Sequence, residues 1–551
     1  MLDGIGGWVN QHLLTAMIFS PIASLLVPML LEAFGWRLSA TMWKGFALIV
    51  SVVGLGLGIE VWRRFDATVG SMQMVEHSTW ISGYGINYYV GIDGISLFLV
   101  VLAAFLLPII LIASWTEIEK RVKQYIFFMM LLQTGMLGAF LSLNLFLFYV
   151  FWEVMLIPMY FVIGIWGGPR RLYATVKFFI YTMVGSLLML VGILVLVFLH
   201  YQQFPGDPVT FDYIGFAGAP GIIDTPISTE GQPWWQKQSC LFLLFGLSFA
   251  IKVPVFPFHT WLPDAHVEAP TAGSVVLAGV LLKLGTYGFL RYSLPLFPVA
   301  TIDLAPWALG LAIIGIIYGA LVAMVQQDIK RLVAYSSVSH LGLVMLGLFA
   351  LNLQGLEGAL LQMVNHGLST GALFLLVGML YERRHVRDIG EFGGLARVMP
   401  AFTAFFLITT MASIGLPLLN GFVGEFLILI GIFAVSPLAA VLATSGVILS
   451  AVYMLWMVRR VFFGPLRHDV NRKLVDLGLR EKLVATAMVV PMIWIGIYPS
   501  SFLRPMDRSL SALLRKMEAR GADIVAYQGL AESSGRAPEE STDTSDPESG
   551  E

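Results

Sequence analysis

Two lysines and two glutamates lie inside apolar stretches of this sequence, where charged side chains are rare. Lys252 ends the apolar run LFLLFGLSFAI, and Lys283 lies within GSVVLAGVLLKLGTYGFL. Glu153 lies in NLFLFYVFWEVMLIPMYFVIGIWG, and Glu425 lies in GFVGEFLILIGIF. At the centre of a bilayer such a charge costs about 2.5–3.5 kcal/mol on insertion scales. Side chains that gain and lose protons at that depth indicate a pathway for protons or other ions.

Each of the four charges also has a structural explanation that stays open at the level of sequence. A lysine near a helix end, such as Lys252, can extend its ammonium group to the membrane interface. Glu153 is the candidate partner of Lys252, and a buried ion pair could simply lock two helices together. Glu425 could cap the start of a helix, where a carboxylate is stabilised. The same explanation stays open for Lys283, but the apolar residues on both sides of it over more than a helical turn favour a functional role.

Three histidines are candidate proton relays between these charges. His340 lies in YSSVSHLGLVML, His366 lies in LLQMVNHGLSTGALFL, and His259 follows two closely spaced prolines. An imidazole passes a proton through either ring nitrogen near neutral pH. We predict that His259 extends a route from Lys252 to Lys283. Each histidine could equally hold neighbouring helices together through hydrogen bonds.

The polar run between the two lysines does not predict a metal site. Asp264, His266 and Glu268 occupy a loop without regular ligand spacing and without a fourth partner. The single cysteine, Cys240, excludes a disulfide framework and a Cys-ligated iron–sulfur cluster. The sequence contains neither a nucleotide-binding glycine loop nor a recognisable nucleophile–base pair. We therefore predict a chain that moves ions and makes or breaks no covalent bond.

The composition predicts an all-α polytopic membrane protein. Of 551 residues, 57% are hydrophobic and only 12% are charged, whereas soluble proteins carry about 25% charged residues. Apolar runs of about 20 residues, long enough to span a bilayer, recur along nearly the whole chain. We predict about fourteen transmembrane helices. They lie near residues 13–33, 44–62, 95–115, 124–142, 145–166, 173–199, 240–268, 272–292, 306–325, 330–350, 356–380, 399–433, 436–460 and 483–503.

The seventh and twelfth predicted helices, 240–268 and 399–433, are interrupted. VPVFP breaks the first, because a helix interior does not accommodate two prolines, and IGLPLLNG breaks the second. Lys252 lies beside the first break and Glu425 beside the second. Broken helices at membrane depth persist only against protein or a water-filled cavity. Equivalent breaks in two halves, together with the weak repeat of YTMVGSLLMLVGIL in NHGLSTGALFLLVGML, indicate a duplicated transporter.

The loops predict an orientation and a few extramembrane elements. Lysines and arginines concentrate in one set of loops, which should be cytoplasmic, so both termini are expected on the opposite side. No signal peptide is expected, because no basic flank precedes the first hydrophobic segment. Residues 63–93 include INYYVGID, which allows a strand or hairpin. RSLSALLRKMEAR, after Pro505, predicts a helix on the membrane surface or on a partner, and the acidic end GRAPEESTDTSDPESGE predicts disorder.

Three motifs resemble the antiporter-like subunits of respiratory complex I. They are KVPVFPFHTWLPDAHVEAPTAGSVVLAGVLLKLGTYGFLR, QQDIKRLVAYSSVSHLGLVMLG and GLPLLNGFVGEFLILIG, which together cover both halves of the chain. Glu425, where the siblings carry a lysine, is typical of the middle one of three siblings. The resemblance implies two inverted five-helix repeats, formed by helices 4–8 and 9–13. We expect flanking helices at 1–123, the two repeats at 124–292 and 293–460, a last transmembrane helix at 461–505, and a polar tail at 506–551.

The resemblance also implies roles for individual residues. The family's proton-translocating charges match Glu153, Lys252, Lys283 and Glu425. Its polar-axis positions match His259, His340 and His366. The chain is thereby expected to translocate protons in an NADH–quinone oxidoreductase of the bacterial inner membrane, in contact with lipid and with two antiporter-like siblings. NADH, flavin, iron–sulfur clusters and quinone are expected on partner subunits, so this chain is expected to bind no cofactor, no metal and no nucleic acid.

Two other functions stay open on the sequence alone. A subunit of a multisubunit sodium/proton antiporter or of a membrane-bound hydrogenase would share the fold and many of the motifs. A structural membrane scaffold, in which buried charges only pair helices, is the alternative from another class. A quinone-binding redox subunit is disfavoured, since the sequence has no haem-ligand histidine pair and no cluster motif.

Overall fold

Helices form most of this structure, a computed structural model that describes residues 9–206, 208–225, 231, 233–466 and 468–528. In chain order they are Leu13–Ser24 (α1), Leu26–Ala33 (α2), Ala40–Arg64 (α3), Leu97–Ala113 (α4), Val122–Leu141 (α5), Leu145–Val154 (α6), Leu156–Trp166 (α7), Arg171–Gln203 (α8), Gln238–Lys252 (α9), Trp261–Glu268 (α10), Thr271–Leu296 (α11), Pro298–Met324 (α12), Ile329–Leu348 (α13), Leu353–Arg384 (α14), Pro400–Ser413 (α15), Asn420–Val435 (α16), Pro437–Phe462 (α17), Asp469–Arg472 (α18), Leu479–Ile497 (α19) and Ser500–Ala519 (α20). The predicted class, an all-α polytopic membrane protein, is confirmed.

Ten helical segments of the described chain are long and apolar enough to cross a membrane, or eleven if the bent pair α19–α20 counts as one span. Two of the ten segments each consist of two consecutive helices joined end to end. They are Leu13–Ala33, formed by α1 and α2, and Leu145–Trp166, formed by α6 and α7. Four shorter apolar helices, α4, α9, α15 and α16, lie where the third, seventh and twelfth spans were predicted. The multi-pass architecture is therefore confirmed, while the count of fourteen stays a prediction.

Polar side chains fix where several of the helices begin. Asn144 Oδ1 accepts hydrogen bonds from the backbone N–H groups of Phe146 and Leu147, both at 3.1 Å, at the start of α6. Asp328 and Asn352 cap α13 and α14 in the same way. The first N–H groups of a helix have no partner within the helix, so a side-chain acceptor stabilises the start. These caps set the register of three helices that carry predicted site residues.

The predicted break in the seventh span is confirmed. Helix α9 ends at Lys252 and α10 begins at Trp261, with Pro254 and Pro257 between them. Because proline has no backbone N–H and its ring clashes with the preceding turn, the helix cannot continue through this segment. The indole N–H of Trp261 donates to the carbonyl oxygen of Ile251 at 2.9 Å. The side chain thus satisfies a backbone acceptor that the broken helix leaves without a partner.

The predicted break in the twelfth span is also confirmed. Helix α15 ends at Ser413 and α16 begins at Asn420, and between them Gly415 adopts a left-handed backbone with φ of 74°. A Cβ atom on Gly415 would lie 2.7 Å from Oε2 of Glu425, so glycine lets the turn approach this carboxylate. Asn365 of α14 donates to the carbonyl oxygen of Asn420 at 2.7 Å, which ties the break to a neighbouring helix.

Helices α11 and α14 form the centre of the molecule. The apolar window of each is completely buried by the rest of the chain, unlike those of the other long spans. Helix α11 contains two π-helical turns, Leu277–Leu281 and Phe289–Ser293, on either side of Lys283. Such turns are rare and occur frequently at functional sites. The central lysine therefore lies on an irregular helix that no lipid reaches.

One antiparallel hairpin, β1 (Gln73–Ile81) and β2 (Ile86–Ile92), lies between α3 and α4. His77 is opposite Tyr89, and Ile81 is opposite Ile86. The carbonyl oxygen of Tyr89 accepts from the N–H of Leu143 at 2.8 Å, which attaches the hairpin to the link between α5 and α6. The hairpin predicted within residues 63–93 is confirmed.

The amphipathic C-terminal helix is longer than predicted and faces a different partner. Helix α20 begins at Ser500, and it bends by 69° from α19. Its buried apolar side chains are Phe502, Met506, Leu510, Leu513 and Met517. The predicted contact with the membrane surface or a partner is therefore corrected, since this face packs against the chain itself. The predicted disorder of the acidic end lies outside the described residues.

Candidate functional site

Lys283 contacts a histidine at the centre of the bundle. Its ammonium Nζ lies 2.7 Å from Nδ1 of His366, which is on α14. Nζ also donates to the carbonyl oxygen of Ala278, within the first π-helical turn of the same helix. The side chain of Lys283 is completely buried, and His366 is 1% exposed. A direct contact between an ammonium and an imidazole nitrogen provides a path for proton transfer between two helices.

The contacts continue from His366 to the carboxylate beside the second break. The rings of His366 and His340 are 6.0 Å apart between centroids. His340 Nδ1 lies 3.2 Å from Oε1 of Glu425, and Gln362 Nε2 donates to the same oxygen at 3.2 Å. Lys283, His366, His340 and Glu425 are thus successive neighbours on α11, α14, α13 and α16. We call this set the central line.

The position of Glu425 argues against a capping role. It lies in the second turn of α16, which begins at Asn420 and has no acidic residue in its first turn. Its polar partners, the His340 imidazole and the Gln362 amide, belong to other helices. The carboxylate is 4% exposed, and the turn at Gly415 closes over it. Glu425 is therefore a buried acceptor at the end of the central line.

Glu153 and Lys252, which the sequence predicts to pair, form no direct ion pair in the described chain. Lys252 is 3% exposed, and its Nζ lies 5.0 Å from the centroid of the Trp152 ring, a cation–π arrangement. Glu153 is half-buried, and its Oε1 is buried without a hydrogen-bonding partner. Trp152 is the chain neighbour of Glu153, so Lys252 lies beside this part of α6. The two groups can influence each other without being bound together.

His259 lies in an aromatic setting beside the first break. Its ring centroid is 5.1 Å from that of Tyr318 and 5.7 Å from that of Phe256. The imidazole is 2% exposed, and Nδ1 is buried without a hydrogen-bonding partner. In the described chain no hydrogen bond joins His259 to Lys252 or Lys283, so the predicted relay through this residue lacks direct contacts.

Two polar residues that the sequence did not single out for this site lie close to it. Lys330 reads as a loop charge in QQDIKR, yet it is buried, and its Nζ donates to the carbonyl oxygen of Ala269 at 2.6 Å. His266 is completely buried, neither ring nitrogen has a hydrogen-bonding partner, and its ring stacks on Phe374 at 4.5 Å. Only the folded packing brings this group together, so no sequence signal identifies it.

The acidic residues near His266 have other partners. Asp264 Oδ2 accepts from Lys177 Nζ at 2.8 Å, and Glu268 Oε2 accepts from the backbone N–H of Arg170 at 2.8 Å. In the described part of the chain, no group of three or more His, Cys, Asp or Glu side chains is placed to hold a metal ion.

Two family models match this chain. Residues 142–450, which include both broken helices and the central line, match the model described as "NADH:quinone oxidoreductase/Mrp antiporter, TM". Residues 63–143 match "NADH-ubiquinone oxidoreductase chain 4, amino terminus". The fold and the buried charges therefore define an antiporter-like membrane protein.

The relatives are more specific. NADH-quinone oxidoreductase subunit M of Rhodobacter capsulatus is 44% identical over 513 residues, which cover 92% of this chain and 98% of that protein. NADH-ubiquinone oxidoreductase chain 4 of Marchantia polymorpha is 41% identical, covering 91% and 97%. The chain belongs to the subunit M and chain 4 family of NADH–quinone oxidoreductases, which are antiporter-like, proton-pumping membrane subunits. The recognition made from the motifs is confirmed, as is the predicted function at this level.

Solved structures agree with this assignment. A chain of "Respiratory complex I from Thermus thermophilus with bound NADH" superposes with a TM-score of 0.80 at 30% identity, covering 92% of this chain and 99% of that one. A chain of the Mrp complex from Dietzia superposes with a TM-score of 0.78 at 20% identity, covering 94% and 100%. The second likeness shows a shared fold alone.

Proposed function

We propose that this chain carries protons across the bacterial inner membrane along the central line, as the middle antiporter-like subunit of an NADH–quinone oxidoreductase. The observation that supports it is the succession from Lys283 to Glu425, with direct contacts at both ends and two neighbouring imidazole rings between them. Charged and titratable side chains inside a membrane protein commonly mark ion pathways. Here the four side chains of the central line lie inside the bundle, each at most 4% exposed.

The geometry suggests which atoms exchange the proton. Lys283 Nζ gives a proton to Nδ1 of His366, and Nδ1 of His340 gives one to Oε1 of Glu425, because these atoms are 2.7 and 3.2 Å apart. The Nε2 atoms of both histidines are buried and have no hydrogen-bonding partner. One water between them would complete the path, since a buried water needs two to four polar partners.

The first half of the chain supplies control. A negative charge on Glu153 would stabilise the ammonium group of Lys252, because opposite charges attract more strongly away from bulk water. When Glu153 is neutralised or turned away, the ammonium loses this attraction and releases its proton more readily. Moving one charge against a membrane potential of 100 mV requires about 2.3 kcal/mol. A change of that size is within the range of a single buried charge interaction.

Proton uptake in this proposal runs through Lys330 and His266. Lys330 begins α13 at the end of the bundle that carries most of the loop lysines and arginines, which is the cytoplasmic side if both termini are periplasmic. His266 would act as the intermediate group, since its two buried ring nitrogens have no hydrogen-bonding partner in the described chain. Control would then lie in the first repeat, 124–292, whereas the conducting line would begin at Lys283 of that repeat and continue through the second repeat, 293–460.

The redox chemistry belongs to partners in this proposal. NADH, flavin, iron–sulfur clusters and quinone would bind to other subunits, and this chain would contribute the translocase part of the reaction. Glu153 is half-buried with an unpartnered carboxylate oxygen. A neighbouring antiporter-like subunit with a cationic group at that surface would complete its environment and couple adjacent subunits.

Substitution of Lys283 tests the proposal in the assembled complex. In inverted membrane vesicles supplied with NADH, we expect K283A to slow proton uptake about tenfold or more, as for loss of a general acid–base group. K283R should also fail, because arginine keeps the charge and does not release its proton. K473A, at an exposed lysine, is the matched control. If K283R pumped like K473A, Lys283 would be only a structural charge and the proposal would be wrong.

A further inference from the structure

A cationic cavity opens at the end of α17, well away from the central line. Its volume is about 460 Å³, and its walls include Ile389, Phe392, Trp456, Arg459, Arg460 and Phe463. Helix α17 ends at Phe462, so the cavity lies where a transmembrane helix leaves the bilayer. This end of the bundle is the one rich in loop lysines and arginines.

The two arginines of the cavity have no anionic partner in the described chain. Arg459 and Arg460 are exposed, and neither side chain forms an ion pair or a hydrogen bond there. Nearby arginines differ, since Arg383 binds Glu481 at 2.6 Å and Arg387 binds Asp328 at 3.2 Å. Arg384 likewise pairs with Glu391 at 3.5 Å, so all three of these arginines have an acidic partner within the chain.

The cavity wall contains no acidic side chain. Glycines occupy several wall positions, among them Gly390, Gly393 and Gly464, so no side chain fills the space from those points. Two unpaired guanidinium groups beside an open, acid-free cavity favour an anion. Planar guanidinium groups match phosphate oxygens through paired hydrogen bonds.

Aromatic residues indicate the depth of the cavity in the membrane. The guanidinium of Arg460 lies 4.6 Å from the centroid of the Trp456 ring, and both Trp456 and Phe463 are exposed. Tryptophan is enriched at the boundary between the hydrocarbon core and the head groups. The cavity is therefore at the level of lipid phosphates and not in bulk solvent.

An apolar stripe on α17 leads from the bilayer to this cavity. Ile448, Val452 and Leu455 are 61%, 48% and 42% exposed, and their spacing of four and three residues places them on one face of the helix. Arg459 continues the same face one turn further on. A molecule with a hydrocarbon chain and an anionic head would contact the stripe and the arginines at once.

We propose that this cavity binds the head group of an anionic phospholipid, with its phosphate between Arg459 and Arg460 and an acyl chain along the stripe from Ile448 to Leu455. Basic pockets at the cytoplasmic side of transmembrane helices are suited to such head groups. The site is separate from the central line, so the proposal is independent of the residues that carry protons. It would anchor the end of α17 to one membrane leaflet.

Lipid retained by the intact complex tests the proposal. The complex is purified in a mild detergent, and its phospholipids are counted by mass spectrometry for wild type and for R459Q/R460Q. We expect the double variant to lose one anionic phospholipid per complex and no neutral one. R472Q/K473Q removes two exposed charges on the same side without touching the cavity wall, and it should retain the wild-type lipid. Equal retention of anionic lipid in all three would overturn the proposal.

If the double variant fails to assemble, a second measurement on the unaltered protein tests the same proposal. Photoactivatable phosphatidylglycerol and phosphatidylcholine are each added to wild-type complex, and labelled peptides are mapped. Phosphatidylglycerol should label residues 448–465 at least several times more than phosphatidylcholine does. Equal labelling would refute a preference for anionic lipid. If inorganic phosphate in excess abolished the difference, the site would bind free anions and the lipid assignment would be wrong.

Discussion

The ionisable side chains beside the two helix breaks differ in whether they contact one another. Beside the second break, His340 Nδ1 lies 3.2 Å from Glu425 Oε1 and the carboxylate is enclosed. Beside the first, Lys252 faces the Trp152 ring, and no ion pair joins it to Glu153 in the described chain. Groups in contact can exchange a proton, whereas a group that only senses a charge can be switched by it. The region beside the second break is therefore arranged for conduction and the region beside the first break for control.

The largest effect that separates the two regions is expected at Glu425. E425Q keeps the size of the side chain but removes the proton acceptor at the end of the central line. We expect proton uptake into NADH-driven inverted vesicles to fall about tenfold or more, as for a lost acid–base group. E425D should recover part of the rate.

Exposed Glu518 provides the matched control for this prediction. E518Q should leave the rate of proton uptake unchanged. If E425Q and E518Q behaved alike in complexes of equal content, Glu425 would not lie on the path.

A smaller effect is expected at Glu153. E153Q removes a charge that acts on Lys252 through space, an interaction of about 1 kcal/mol for a pair in water and more when buried. We expect proton uptake to slow about fivefold, since 1.4 kcal/mol corresponds to a factor of ten. Native gels would show normal assembly, which distinguishes a controlling charge from one that locks helices together. Loss of assembly with normal pumping in the remaining complex would instead favour a structural role.

The smallest effect is expected at His259. H259F preserves the aromatic contacts with Phe256 and Tyr318, and no described hydrogen bond to Lys252 or Lys283 is lost. Proton uptake should change less than about twofold, well below the effect of removing an acid–base group. A loss of proton uptake as large as that of E425Q would instead support the relay role that the sequence predicts for His259.

The sequence predicts the charges of the site better than their contacts. Lys283 and Glu425 are recognisable because apolar residues surround them over more than a turn, and a buried charge needs a reason. The prolines and glycines at both breaks predict the interruptions directly. Contact between His340 and His366 depends on how α13 and α14 rotate against each other, which hydrophobic periodicity does not determine.

The environments of Lys330 and of the apolar face of α20 could not be predicted from the sequence, for physical reasons. Lys330 lies in the charged run QQDIKR, which is typical of a loop, but the packing of α10 against α13 buries it against the carbonyl oxygen of Ala269. The amphipathic face of α20 predicts an apolar partner without specifying it. In the structure that partner is the chain itself.

Whether the central line is one path is tested most directly by combining substitutions at its two histidines. We expect H366Q and H340Q each to slow proton uptake about fivefold, and the double variant to slow it about tenfold, because delays at successive steps of one path add. Independent contributions would multiply to about 25-fold. A multiplicative loss, or normal uptake in either single variant, would contradict a single path from Lys283 to Glu425.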